Sequence, residues 1–132
     1  MRMSGPVLDA ADVPRLTAFY ERLLGWEVVA REGPRDGYPP GDGWALLRPA
    51  DGSTKIEIQG EPMYERPTWP AAAGEQQMMI HLDILTPNLD DGVAWAIECG
   101  AEVCEAQPQK PGDHVIMRDP AGHVFCMCRG ED

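Results

Sequence analysis

The amino-acid sequence predicts an α+β fold made of two successive βαβββ repeats. Two segments have the periodicity of amphipathic helices, and each follows one strand candidate and precedes three more. Both helices end at a glycine, Gly25 and Gly100, so the same order of elements occurs twice. A chain of 132 residues is long enough for one domain but too short for two independent cores, and we therefore predict a single domain over residues 1–132.

The first repeat, about residues 4–60, opens with a short strand at 6–10. Asp12 is a good N-cap and Pro14 suits the first turn of the helix that follows, which ends at Gly25. Its buried stripe comprises Leu16, Phe19, Tyr20, Leu23 and Leu24. Three further strands are predicted at 26–29, 44–48 and 55–59, and turn residues separate the last two.

The second repeat, about residues 77–130, begins with a predicted strand at 78–85. A helix starts near Asn88, places Leu89, Val93, Ala96 and Ile97 on one stripe, and stops at Gly100. Strands follow at 101–104, 114–118 and 123–128. The turn from Asp119 to Gly122, with proline in second place, fits type I geometry.

Two stretches are rich in proline and glycine and do not fit helix or central strand. One covers residues 32–43, and the other is the connector between the repeats, about residues 61–76. We expect both to be mobile and to lie at the mouth of any cavity.

The charge balance excludes several classes of partner. There are 22 acidic against 11 basic residues, a net charge of −11, with no basic cluster. Nucleic acid and anionic membrane surfaces are therefore unlikely partners. The sequence contains neither an apolar run of about 18 residues nor the apolar core of a signal peptide, so we expect a cytoplasmic protein. Its four cysteines are then predicted to be free thiols, mostly small buried side chains.

Three separated motifs resemble the vicinal oxygen chelate superfamily, which includes glyoxalase I, the bleomycin-resistance proteins and the extradiol dioxygenases. They are the helix segment from Asp12 to Trp26, the strand Ile80-His81-Leu82-Asp83-Ile84, and the segment Arg118-Asp119-Pro120-Ala121-Gly122-His123-Val124-Phe125. The resemblance implies that the two repeats form paired half-barrels around a concave cup. In members that use a metal, the cup holds one divalent ion.

Strand alternation predicts which side chains face that cup. Ile80, Leu82 and Ile84 should point toward the helices, with His81 and Asp83 on the opposite face. The same rule groups Lys55, Glu57 and Gln59, and likewise Val124, Cys126 and Cys128, on the cup face.

The resemblance implies that His81 and Glu57 stand at metal-ligand positions. The first strand should carry His or Gln near Gly5 or Pro6 and does not, and Cys126 stands where the pattern has Glu. Adding Cys126 would give a donor set suited to zinc. Alternatively, Glu57 and His81 are hydrogen-bonded cup residues that bind a ligand or each other, or a residue such as Asp9 or Asp83 completes a site for zinc, nickel, manganese or iron.

Three aromatic residues are candidates for the wall of the cup: Trp44, Tyr64 and Trp69. The alternative is that they pack at a dimer interface or under the loops. His114 and His123 are interpreted as ordinary polar residues near strand ends.

Two functions follow. The first is a glyoxalase or bleomycin-resistance-like homodimer that binds a small organic molecule in the cup, without a complete metal site and so without a cofactor. Glu57, His81 and Cys126 join the aromatic residues as its ligand-binding candidates. The alternative is a divalent-metal-dependent lyase, isomerase or dioxygenase with Glu57 and His81 as ligands. A non-catalytic interaction module has no specific support.

Overall fold

The computed structural model describes residues 1–108 and 112–131. The chain divides into two compact units, Met1–Tyr64 and Glu65–Asp132. Each unit contains one four-stranded sheet and one helix, which confirms the predicted α+β class and the βαβββ repeat. Of the predicted connector, residues 61–64 lie in the first unit and residues 65–76 in the second. Among the described residues, no helix combines the length and apolar character needed to cross a membrane.

The first unit places its helix on a mixed sheet. Its elements are β1 (Val7–Ala10), α1 (Val13–Leu24), β2 (Glu27–Glu32), β3 (Trp44–Arg48) and β4 (Ile56–Gly60), with sheet order β1-β4-β3-β2. β1 runs parallel to β4, and the other neighbours are antiparallel.

Local sequence signals fix the ends of α1 as predicted. The side chain of Asp12 accepts a hydrogen bond from the Arg15 backbone N–H at 3.2 Å. Gly25 ends the helix with φ = 65°, a left-handed conformation that glycine adopts without steric cost. The apolar face of α1 and one face of the sheet form the core, whose fully buried members include Leu16, Tyr20, Leu47 and Ile58.

The second unit repeats this order. It contains β5 (Leu82–Thr86), α2 (Leu89–Cys99), β6 (Glu102–Val103), β7 (His114–Arg118) and β8 (Val124–Arg129), with sheet order β5-β8-β7-β6. Asn88 caps α2 by accepting from the Asp91 N–H at 3.2 Å. Ala96, Met117, Phe125 and Met127 are buried.

The start of β5 corrects one prediction. The predicted strand begins at residue 78, but the observed strand begins at Leu82, so His81 precedes the strand instead of lying within it. Ile80, expected to pack toward the helix, is 73% exposed. The partner strand explains the difference: the first pair in the ladder is Leu82 with Phe125, and the residues before Val124 form a turn.

That turn is built around a buried carboxylate. The Gly122 N–H donates to the Asp119 carbonyl at 2.9 Å, which confirms the predicted turn. The Asp119 carboxylate accepts from the backbone N–H groups of Ala121 and His123 at 2.9 and 3.0 Å, and pairs with His123 Nδ1 at 2.8 Å. His123 is therefore part of a hydrogen-bonded turn and not an ordinary exposed residue.

Candidate functional site

A row of polar and aromatic side chains crosses the first sheet where β3 begins. Glu32, Trp44, Gln59 and Asp9 are consecutive partners across the four strands. Residues directly opposite each other on paired strands share a face of the sheet. Gln59 Nε2 donates to Asp9 Oδ1 at 2.7 Å, so the row places one indole among three polar side chains.

Glu57 lies next to this row, and each of its two carboxylate oxygens has a side-chain partner. Trp44 Nε1 donates to Glu57 Oε2 at 3.1 Å, and Lys55 Nζ forms an ion pair with Oε1. The hydrogen bonds from Lys55 and Trp44 lower the pKa of Glu57 below its usual value. Ile56 and Ile58, on either side in the chain, are buried on the opposite face, as alternation predicts.

An open cavity of about 460 Å³ lies in the first unit at this end of the sheet. It is lined by Glu32, Gly33, Arg35, Gly43, Trp44, Gln59, Gly60 and Glu61. Four of these residues come from the glycine- and proline-rich stretch at 32–43 that precedes β3. The prediction that this stretch borders a cavity is confirmed.

The same stretch is held in place by an ion pair that sequence reasoning missed. Arg35 donates from Nε and Nη2 to the two carboxylate oxygens of Asp42 at 2.9 and 2.7 Å, and from Nη2 to the Gly60 carbonyl at 3.1 Å. The hydrogen bonds from Arg35 lower the pKa of Asp42 to about 2. Both residues lie in irregular loop, where no periodicity or motif signals such a pair.

Close packing of glycine against Asp42 completes this anchor. A Cβ atom at Gly60 would lie 2.1 Å from Asp42 Oδ1, so only glycine fits the observed geometry. Backbone hydrogen bonds also join Gly60 to Gly43 and Val13 to Gly41, both at 2.8 Å. The stretch predicted to be mobile is thus tied both to the start of α1 and to the end of β4.

The charges of the cavity wall follow from this pairing. Arg35 contributes the one positive side chain among the lining residues, and Asp42 already neutralises it. Glu32 and Glu61 remain as uncompensated carboxylates in the lining. The cavity therefore combines an indole with a net negative charge.

The second unit brings together a different set of side chains. His81 Nε2 lies 3.2 Å from Asp83 Oδ1, and each of these residues and Cys126 offers a donor atom within 4.8 Å of the other two. Asp83 and Cys126 are direct partners in the parallel ladder between β5 and β8. Of the predicted metal-site residues, His81, Asp83 and Cys126 lie in this cluster, and Glu57 and Asp9 belong to the first unit.

The thiols around the cluster have pKa values above the usual range. Burial, together with the nearby Asp83 carboxylate, raises the pKa of Cys126 to about 11, and burial also raises the pKa values of Cys104 and Cys128. Cys126 packs beside the buried residues Cys104, Ile116 and Val124.

The other two aromatic candidates differ in their surroundings. Trp69 packs against the same buried group of Cys104, Ile116 and Val124, and its Nε1 donates to the Ala106 carbonyl at 3.1 Å. Tyr64 is half-buried at the end of the first unit. Of the three, Trp44 is the one that lines the described cavity.

Comparison with known protein families identifies the family to which the chain belongs. A family model described as a glyoxalase-like domain matches residues 6–128. The chain belongs to the glyoxalase-like domain family. This confirms the resemblance to the vicinal oxygen chelate superfamily. No curated protein matches the sequence.

Solved structures with low sequence identity share the fold of this glyoxalase-like protein. A variant of the genomically encoded fosfomycin resistance protein of Listeria monocytogenes, complexed with Mn(II) and 1S,2S-dihydroxypropylphosphonic acid, has a TM-score of 0.71 at 16% identity, covering 98% of this chain and 93% of the other. The glyoxalase family protein of Enterococcus faecalis has a TM-score of 0.68 at 22% identity and covers 96% of both chains. An integron cassette protein of Vibrio cholerae has a TM-score of 0.59 at 23% identity, covering 99% and 96%.

Proposed function

We propose that this glyoxalase-like protein binds a small, planar, positively charged organic molecule in the cavity of its first unit. The observation that carries the proposal is the indole of Trp44 at a cavity of about 460 Å³ whose uncompensated charges are carboxylates. Ligand pockets of small molecules fall in the range of about 300–1,000 Å³. A flat cation gains both contact area and cation–π attraction from an indole.

The surroundings of Trp44 support a preformed site. Its Nε1 is bound to Glu57, and that carboxylate is bound to Lys55, so one edge of the ring is fixed. The loop on the other side of the cavity is anchored through Arg35 and Asp42. A preformed wall reduces the entropy lost on binding.

Calorimetry and tryptophan fluorescence with a matched panel of planar compounds test the proposal. Cationic members should bind and quench emission, and neutral and anionic members of the same shape should bind at least tenfold more weakly. Trp44→Phe should abolish most of the quenching. Trp95→Phe, an exposed position on α2, is the control that should keep it.

Charge variants test whether the negative charge of the cavity lining favours cations. Glu61→Gln should weaken binding of the cation about threefold to tenfold, and Glu21→Gln, on the exposed face of α1, should not change it. A small phosphonate of the kind bound in the Listeria structure serves as the anionic probe. Stronger binding of the phosphonate than of the cations would overturn the proposal.

A second candidate function is a divalent-metal-dependent lyase, isomerase or dioxygenase. Its support is the cluster of His81, Asp83 and Cys126, together with the Mn(II) present in a structure of the same fold. Such an ion would act as a Lewis acid toward substrate oxygen atoms. Metal-dependent turnover that is lost in His81→Ala, with the fold intact by circular dichroism, would favour this candidate over simple binding.

We also propose that the protein is cytoplasmic and forms a homodimer. All four cysteines are free thiols, which supports a reducing compartment such as the cytoplasm. Met79 and Ile80 are 86% and 73% exposed beside the edge strand β5, which supports a homodimer. Light scattering across a range of concentrations should give twice the chain mass of 14.5 kDa, and the monomer mass at every concentration would refute the dimer.

A further inference from the structure

We propose that the cavity of the first unit selects planar cations that carry N–H groups, such as amidinium and aminopyridinium ions, and that Gln59 is the residue that makes this distinction. The inference rests on the proposed binding of a cation in the same cavity, and it narrows the class of that ligand. It follows from the hydrogen-bonding groups of the lining residues, which offer a ligand more acceptors than donors.

Gln59 occupies the middle of the polar row on the first sheet. It pairs with Trp44 of β3 on one side and with Asp9 of β1 on the other. Gln59 and Trp44 both line the cavity, and Asp9 stands behind Gln59 in the row. Asp9 therefore acts on the hydrogen bonds of a ligand through the amide of Gln59.

The Asp9 carboxylate fixes the orientation of that amide. An ionised carboxylate only accepts hydrogen bonds, so the amide must turn its NH2 group toward it. The structure has this arrangement, because Gln59 Nε2 donates to Asp9 Oδ1 at 2.7 Å. Oε1 is left on the other side of the amide, and within residues 1–108 and 112–131 no donor occupies it. Gln59 therefore offers a ligand an acceptor.

The side-chain donors of the lining are largely committed to the protein itself. Trp44 Nε1 donates to Glu57 at 3.1 Å, so the indole offers a ligand its ring and not its N–H group. Arg35 uses Nε and Nη2 on Asp42 and Gly60. Its Nη1 group is the part of the guanidinium left without a partner among the described residues.

The acceptors of the lining are of one chemical kind, oxygen atoms that carry or share negative charge. Glu32 and Glu61 contribute carboxylates, and Gln59 contributes its amide oxygen. The backbone N–H groups of Gly60 and Glu61 donate to carbonyl groups at 2.8 and 3.0 Å, so these donors are used as well. A cation with N–H groups can pair with the acceptors, whereas a cation without them leaves the acceptors unpaired. The lining therefore favours the first kind.

Calorimetry at pH 7 with two planar cations of equal charge tests the inference. 4-Aminopyridinium carries N–H groups, and 4-(dimethylamino)-1-methylpyridinium carries none and has the larger apolar surface. We expect the first to bind about fivefold more tightly, which is opposite to the order that apolar contact alone would give. Equal or tighter binding of the second would overturn the inference and leave the proposed cation binding intact. If neither ion binds, the proposed function fails and the inference fails with it.

Matched variants assign the distinction to Gln59. Gln59→Leu should bring the two affinities within about twofold of each other, and Gln59→Glu, which retains an acceptor oxygen, should keep the preference for 4-aminopyridinium. Asp9→Ala removes a charge felt by both ions and releases the amide, so the ratio of the two affinities should fall. Gln76→Leu, at an exposed residue of the second unit, is the control that should keep the ratio. With circular dichroism confirming the fold, an unchanged ratio in Gln59→Leu would overturn the role of Gln59.

Discussion

Replacing Glu57 with glutamine removes one negative charge and keeps the shape of the side chain. The amide oxygen can still accept the hydrogen bond from Trp44 Nε1, so the change isolates the ion pair with Lys55. The Lys55 and Glu57 side chains are only 12% and 20% exposed, which makes this pair stronger than one on the open surface. We expect Glu57→Gln to destabilise the protein.

The magnitude follows from the low exposure of the pair. Two unit charges about 4 Å apart attract by about 4 kcal/mol at the effective dielectric constant of about 20 that applies near protein surfaces. Desolvation of both groups offsets more than half of this attraction, which leaves about 1–2 kcal/mol. With a urea m-value of about 1.5–2 kcal/mol per molar, the unfolding midpoint should fall by roughly 0.5–1 M.

Urea unfolding at pH 7 of the wild type, Glu57→Gln, Lys55→Met and the double variant measures the pair directly. The double-mutant cycle should give a coupling free energy of about 1 kcal/mol between Lys55 and Glu57. A coupling energy indistinguishable from zero, with Glu57→Gln as stable as the wild type, would refute the assignment of Glu57 to a structural ion pair.

Acid sensitivity gives a second readout of the same group. The pKa of Glu57 in the folded protein is below its usual value of about 4.5, so the carboxylate stabilises the folded state above that pH. This contribution is lost as the pH falls below 4.5 toward the folded-state pKa. Glu57→Gln should therefore make stability less dependent on pH in that range.

Three further predictions test the contacts of Asp42 with Arg35 and Gly60, and the core of the second unit. Gly60→Ala should cost about 1–3 kcal/mol in urea unfolding, because its Cβ would meet Asp42 Oδ1 at 2.1 Å, and Gly33→Ala, which meets no atom within 4 Å, should change stability by less than about 0.5 kcal/mol. Equal effects of the two substitutions would contradict the close packing. The pKa of Asp42 is about 2, so its ion pair should stabilise the fold above about pH 3.8 and lose this effect as the pH falls toward 2, and Asp42→Asn should reduce the slope of stability against pH between these values. An unchanged slope would argue against the pairing. Phe125→Ala should cost about 3–5 kcal/mol because the ring is fully buried in the second unit, and a loss below about 1 kcal/mol would show that the core is packed differently.

Sequence reasoning located the helices well because their signals are local. The capping side chains of Asp12 and Asn88 and the glycine after each helix act within a few residues of the ends that they define. Strand alternation in β4 was equally readable, since its buried residues, Ile56 and Ile58, occupy every second position. These features need no knowledge of distant parts of the chain.

The length of β5 and the contacts of Arg35 with Asp42 and Gly60 depend on distant partners. They could not be predicted from the local sequence pattern. The apolar residues at 78–80 continue the strand pattern, but the partner strand β8 begins only at Val124. Arg35 and Asp42 meet each other and Gly60, which follows 25 residues after Arg35. In both cases the three-dimensional partner, and not the residue type, decides the local structure.

The two halves of the repeat differ in the donor side chains that they carry at matching positions. In the second unit, His81 just before β5, Asp83 on β5 and Cys126 on β8 supply three donors. In the first unit, β1 pairs Val7 with Glu57, and two residues before Val7 stands Gly5, so the matching positions supply one donor. A Cβ atom at Gly5 would lie 2.8 Å from the Lys55 carbonyl oxygen and 2.9 Å from Lys55 Cγ, and its φ of 142° disfavours other residues. Lys55 therefore both blocks a side chain at position 5 and neutralises Glu57, so the one donor that the first unit keeps at these positions is engaged in an ion pair.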